Sequence, residues 1–435
     1  MNLKSYTKRR MVFDAFVAFA CAVFAAQAET VDLAGASLTV EDIAAANDYV
    51  NTSDTAATLT LDTDEDVTFG GTVAGNIAIV KNGAGTVTFA NDNTHSGGTT
   101  INEGYIAVDA ESRLGTGTVI FDGGGIKTTA SFLQTKVVFD FKDGRHGTVH
   151  TPEGVTFSIS NKLFITTSTG SFTKTGAGTL DLEGRFRNNI SNDRWIIEEG
   201  IINFSDGSAW AGHAKEAPSV VLEIRENAIL RTAGHTALPN IVMRGGTLYH
   251  GGYTVNIKGD EGDKDSWTCF SFRQALSVLP SENGKPSRVI AEHCYAGHAD
   301  LIPLFNVEEG AELRVETKLE RGFDSDGKVR IGGGFVKTGK GTMTLCQPCD
   351  FDGGDVRVED GVLRIKRGAS FTPDTKLTVS KNARIALDEG VALGQGLWVT
   401  HNRFYRLGIS ARNRQKIVNY RDLGHTVYIQ ASREN

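Results

Sequence analysis

The chain has 435 residues, 40% of them hydrophobic and 22% charged, with 50 glycines, 8 prolines and a formal net charge of −7. That apolar content, with sustained alternation of apolar and polar residues, excludes a disordered chain, and the acidic balance argues against nucleic acid or an anionic membrane surface as a partner. Many glycines with few prolines suit tight turns between continuous strand ladders.

The first 28 residues read as a secretory signal peptide. Lys4, Lys8, Arg9 and Arg10 precede the apolar run Met11 to Ala25, and Ala26-Gln27-Ala28 supplies a small-Xaa-small cleavage pattern. Removing these four basic residues together with Asp14 takes the net charge from −7 to −10. Residues 29–56 read as an N-terminal cap, with a short helix expected over Asp42 to Asn47.

From residue 57 a hexapeptide Lys-Xaa-Gly-Xaa-Gly-Thr organises the chain. It stands at Lys81 to Thr86, Lys174 to Thr179 and Lys337 to Thr342, and each copy opens the same strand-turn-strand pattern. After the first copy come Val87-Thr88-Phe89, an Asn-rich turn, Thr99-Thr100-Ile101 and Gly104-Tyr105-Ile106-Ala107-Val108. The third continues as Met343-Thr344-Leu345, a turn through Gly353-Gly354, then Val356-Arg357-Val358 and Gly361-Val362-Leu363-Arg364-Ile365. Period-two alternation puts Val87 and Phe89, Leu180 and Leu182, or Met343 and Leu345 on one face of a half-buried strand. Gly83, Gly85, Gly176, Gly178, Gly339 and Gly341 mark the turns, because glycine takes positive φ without a steric penalty. One such unit cannot bury its own apolar face, whereas stacked copies cover one another.

These residues resemble the autotransporter-associated beta-strand repeat, also called the passenger-associated transport repeat. Lys81 to Val108 carries the Gly-Xaa-Gly-Thr opening, the Asn-rich turn, Gly-Gly-Thr-Thr-Ile-Asn and the closing glycine; the second copy lacks the Gly-Gly pair, and the third has one more residue between Gly354 and Gly361. The resemblance implies a secreted or cell-surface protein of a Gram-negative-type bacterium. A self-exporting passenger would end in a translocator barrel. Here Gly396 to Ile429 reads instead as a closing module, so a family member without a barrel is expected.

The fold expected is all-β: a right-handed parallel β-helix, or β-solenoid, with irregular capping segments and one insertion. Its parts are a solenoid over 57–255 with two repeat copies, an insertion over 256–303, further solenoid over 304–395 with the third copy, and the closing module 396–435. With about 20 to 25 residues per rung this makes roughly 15 rungs, and at one strand spacing each the rod is about 70 Å long.

Four cysteines remain after signal removal. Cys269 and Cys294 lie in the insertion, where pairing would staple it; Cys346 and Cys349 flank Gln347-Pro348 in a turn. They allow three connectivities in an exported protein. A thioredoxin-like role for Cys346 and Cys349 lacks the required helix N-terminus, so a structural bridge or free thiols is the expectation. His293 to Asp300 holds enough ligand types for a transition metal but has no second cluster at zinc-site spacing, and Asp260 to Asp265 and Asp324 to Gly327 offer oxygens for calcium without completing an EF-hand. No metal or cofactor is expected.

A non-enzymatic structural, adhesive or polymer-binding role follows, with extracellular polysaccharide or cell-surface components as candidate partners and Tyr105, Trp195, Trp210 and Trp267 as candidate aromatic platforms. The location expected is extracellular or cell-surface, with the periplasm as an alternative. The alternative function is a carbohydrate-active β-helix enzyme, whose paired carboxylates would come from distant positions on neighbouring rungs.

Overall fold

The computed structural model describes residues 29–435 apart from 46, 142–143, 145, 161–163, 167–169, 184–193, 206–220, 233–235, 239, 252–269, 273–274, 297–301, 322–332, 352, 373–374, 389–390, 392–397, 401–419, 423–425 and 430–435. The signal-peptide residues therefore lie outside the described residues.

Alternation fixes which way each strand faces. In Ala57–Asp62 the residues Ala57, Leu59 and Leu61 are buried while those between are not, and Ile77–Asn82 repeats the pattern. Each strand pairs in parallel with its counterpart one rung on: Leu59 stands opposite Ile79, Ile79 opposite Thr99 and Thr99 opposite Val119. Stacked this way, the chain is an all-β solenoid of about 12 turns. That is fewer than the sequence spacing suggested, because rungs lengthen: the step from Ile241 to Leu276 takes far more residues than that from Leu59 to Ile79.

The ladder starts earlier than expected. Within 29–56, Thr30–Asp32 pairs with Asp48–Asn51, and Ser37–Val40 pairs with Ala57–Asp62, so the segment read as a cap is itself a rung. A 3-10 turn at Ile43–Ala45 lies in it, with Ile43 buried. The ladder also runs through 256–303, where Phe270–Phe272, Leu276–Val278 and Ser287–Ala296 all pair in parallel with neighbouring rungs. At the other end, Thr426–Ile429 lies antiparallel on Ala383–Asp388 and on Tyr420–Asp422. A strand reversed in this way occupies ladder groups that would otherwise template another chain.

Aromatic side chains fill the interior as a ladder along the axis. Tyr49, Phe69 and Phe89 stack on successive rungs, as do Phe141, Phe172 and Trp195, and later Phe272, Phe305, Phe335, Phe351 and Phe371. The Phe172 and Trp195 rings meet edge to face with centroids 4.7 Å apart. Each such pair contributes about 0.5–1.5 kcal/mol beyond the area it buries.

Candidate functional site

Two constructions stand out: a buried device that repeats with the hexapeptide, and ladders of charged side chains on the outer faces. In the first, Lys81, Lys174 and Lys337 are wholly buried. Lys174 Nζ donates to the carbonyl oxygens of Thr175 (2.8 Å), Gly176 (2.6 Å) and, one rung on, Glu199 (3.2 Å). Lys337 Nζ donates to Gly339 and, at 2.8 Å, to Asp360; Lys81 Nζ donates to Asn82, Gly83 and Glu103. Burial pushes all three ammonium groups below the ordinary lysine value, Lys174 to about 7 and Lys337 to about 8.

The glycines give these lysines their carbonyls. Gly83, Gly176 and Gly339 take φ of 73°, 76° and 73°, which turns their carbonyls toward the ammonium. Gly85, Gly178 and Gly341 serve a second purpose: an added Cβ there would overlap the carbonyl oxygens of Glu65, Pro152 and Glu308 on the preceding rung. Gly104, Gly200 and Gly361, at φ of 63°, 72° and 68°, stack on the turn in all three copies. None of the six expected turn glycines leaves room for a Cβ against the preceding rung, and Gly83, Gly176 and Gly339 also take the left-handed conformation.

On the outer face of one ladder, Arg288 pairs with Arg314, Arg314 with Thr344 and Thr344 with Arg364, in register over four successive rungs. Carboxylates orient the guanidinium groups. Arg288 forks onto Glu316 through Nε (2.9 Å) and Nη2 (2.7 Å), Arg314 Nε donates to Glu312 (2.9 Å), and Arg364 Nε donates to Asp388 (2.9 Å). Thr344 Oγ1 donates to the same Glu312 at 3.0 Å. Toward the N-terminal end the face continues as Tyr249, Arg231, Asn203 and Asp181, with Arg231 Nε donating to Asn203 (2.7 Å) and Asn203 Nδ2 to Asp181 (2.8 Å).

A different outer face carries Glu223, whose side chain is 2% exposed although its strand neighbours point it outward. Arg194, Arg225 and Arg244 all converge on it, and Arg225 also reaches Glu198. Burial alone would raise the Glu223 carboxyl; the arginine hydrogen bonds and charges outweigh it and hold the group below the usual range.

The other sequence candidates fall in varied places. Cys346 and Cys349 are free thiols, Cys346 half-buried and Cys349 buried, and burial pushes the Cys349 thiol up to about 12. Strand Thr342–Leu345 precedes them and Cys349 itself opens a strand pair, so no helix end lowers either thiol. Cys294 is buried opposite Leu319, and Cys269 lies outside the described residues. His293 stands in the ladder opposite Lys318; residues 297–300 and both acidic loops, 260–265 and 324–327, lie outside the described residues. Among the described residues no group of three or more His, Cys, Asp or Glu is placed to hold a metal ion. Trp195 belongs to the core rather than to a surface platform. Tyr105 faces outward over Gly125, where an added Cβ would meet its ring at 2.8 Å. Trp210 and Trp267 lie outside the described residues.

These turns and lysine clamps define a solenoid built from degenerate copies of one unit. The passenger-associated-transport-repeat model matches residues 79–108 and 172–189. Over 115 residues the chain is 36% identical to the adhesin BmaC autotransporter of Brucella suis biovar 1 (strain 1330), a stretch covering 26% of this chain and 3% of that protein. No solved structure matches. Two stretches of the chain thus carry the passenger-associated transport repeat, and a third of the same construction follows them. That third copy, Lys337 to Ile365, lies outside the matched residues yet has the same glycine and lysine construction.

Proposed function

We propose that this chain is an exported, surface-associated rod with an adhesive role and no catalytic activity of its own. The observation that carries the reading is a pair of ladders of outward side chains held in register across the rungs, Asp181, Asn203, Arg231 and Tyr249 in one and Arg288, Arg314 and Arg364 in the other, two residues along the strand. Such a surface is rigid before any partner arrives, so binding orders few side chains and keeps more of the contact energy. The likeness over 115 residues to an adhesin autotransporter supports the same reading. The polymer or cell-surface component that it docks is extracellular.

The test immobilises the full chain and incubates it with a panel of polysaccharides and, separately, with host-type cells. Retention of a polymer or attachment of cells, with no shortened products, is the expected result. Release of shortened products would overturn the non-enzymatic reading, and absence of both retention and attachment would overturn the adhesive one.

A further inference from the structure

Building on that adhesive reading, we propose that the column Arg288, Arg314 and Arg364, with Tyr249 at its end, is a binding strip for a linear anionic glycan. Four successive positions of this ladder span three strand spacings, about 14 Å; Arg288, Arg314 and Arg364 reach solvent at the first, second and fourth, while Thr344 at the third is buried and holds Glu312. A pyranose advances along an extended glycan by about one strand spacing, so acidic sugars lying over rungs one, two and four of the column meet Arg288, Arg314 and Arg364.

The chemistry of the strip agrees. Guanidinium forks match the planar, two-oxygen edges of carboxylate and sulfate groups. The three arginine side chains remain 44%, 41% and 40% exposed while carboxylates hold Arg288 and Arg314 by Nε and Nη2 and Arg364 by Nε. Glu312, Glu316 and Asp388 therefore act as orienting groups, and Lys366, whose charge acts on Glu316 and Cys346, adds a further cation to this face. Together Arg288, Arg314, Arg364 and Lys366 outnumber the three carboxylates by one. The chain as a whole carries −7, yet at physiological salt charges beyond about 8 Å are screened, so a polyanion responds to the strip and not to the whole rod.

Tyr249, 37% exposed, pairs with Ile290, two residues along the strand from Arg288. That diagonal lies within reach of a long side chain, so a sugar ring seated on Tyr249 brings its neighbour to Arg288. A single-stranded nucleic acid fits less well, because it needs an aromatic platform for successive bases and the column offers Tyr249 alone.

The experiment measures binding of the full chain to a highly sulfated glycan, to polygalacturonate, to neutral dextran and to a single-stranded oligonucleotide at physiological salt. It compares R288Q/R314Q/R364Q with R288K/R314K/R364K and with K136Q/K285Q/K340Q, which removes equal charge at exposed lysines outside the column. Far-ultraviolet circular dichroism and melting establish that each variant is folded. The glutamine triple is expected to weaken binding of the sulfated or the uronate polymer at least about tenfold, the lysine-to-glutamine control by no more than about threefold. The R288K/R314K/R364K variant, which keeps charge and fold, is expected to fall between. The two polymers separate sulfate from carboxylate as the recognised group. Equal losses from both glutamine triples, stronger binding of the oligonucleotide, or no glycan binding at all would overturn the proposal. Cell attachment is scored alongside: attachment without glycan binding sinks the strip and leaves the adhesive reading standing.

Discussion

The Lys174 ammonium lies 3.2 Å from the carbonyl oxygen of Glu199, the residue immediately before the left-handed Gly200 of the following rung. Lys337 makes the same contact with Asp360, before Gly361, and Lys81 reaches Glu103, before Gly104. One side chain therefore collects turn carbonyls from its own rung and one from the next, so the hexapeptide is a joint between rungs as well as a turn. A buried acceptor left without a donor costs about 1–3 kcal/mol. Lys174→Met and Lys337→Met, which keep most of the apolar stem, are each expected to lower stability by about 2 kcal/mol or more. Urea denaturation midpoints measure this, and a midpoint equal to that of the parent chain would remove the clamp from the account.

The same lysines impose a pH dependence on the alkaline side. Their folded values, about 7 for Lys174 and about 8 for Lys337, lie below the ordinary 10.5. Between those limits the unfolded chain binds more protons than the folded one, so stability rises with pH from near 7 toward 10. The melting temperature is expected to climb over that window in the parent chain and to climb less in the Lys174→Met/Lys337→Met double variant. A parallel climb in both would assign the slope to other groups.

His95 governs the acid side. It is wholly buried, its Nε2 lies 3.1 Å from Thr99 Oγ1, its Nδ1 has no partner among the described residues, and burial lowers it to about 4 from 6.5. Here too the unfolded state binds the extra proton, so stability falls as pH drops from 6.5 toward 4. The loss amounts to about 3 kcal/mol for a displacement of this size. His95→Gln is expected to flatten the melting profile between pH 6.5 and 4.5; an unchanged profile would exonerate the histidine.

Sequence alone reveals the glycines more readily than the lysines. Gly-Xaa-Gly recurs at fixed offsets, and only turn geometry explains that recurrence. Lysine is read as solvated by habit, although parity gives it away: Lys81 shares the inward phase of Ile77 and Ile79, Lys174 that of Phe172, and Lys337 that of Phe335. The arginine column was beyond such reading. Arg288, Arg314 and Arg364 meet only because rungs of unequal length bring them into register, and no local pattern encodes those lengths. The same inequality makes 256–303 read as an interruption, when three of its strands, Phe270–Phe272, Leu276–Val278 and Ser287–Ala296, continue the ladder.

The two kinds of glycine separate by substitution. Gly154 takes φ of 77° with nothing within 4 Å of an added Cβ, so Gly154→Ala pays only for conformation, about 1 kcal/mol. At Gly178 the added Cβ overlaps the Pro152 carbonyl, and backbone must move on the preceding rung as well. Gly178→Ala is expected to cost several times as much in a thermal melt, and equal costs would show that the rungs are not held at the spacing described.

Cysteine reactivity tests the closing part of the solenoid. Cys349 is 2% exposed, and burial raises it to about 12; Cys346 is half-buried, raised first by burial with Glu316 and Glu312 adding to the effect, while Lys366 and Arg314 oppose it. The thiolate is the reactive form, so neither residue is primed for exchange at neutral pH. Maleimide labelling of the native chain at pH 7.5, mapped residue by residue by mass spectrometry, is expected to modify Cys346 slowly. Cys349 is expected to react only after denaturation. Rapid native labelling of Cys349 would mean that the neighbouring rungs carrying Phe351 and Phe371 open readily, and a linked Cys346–Cys349 peptide would replace the thiols with a bridge.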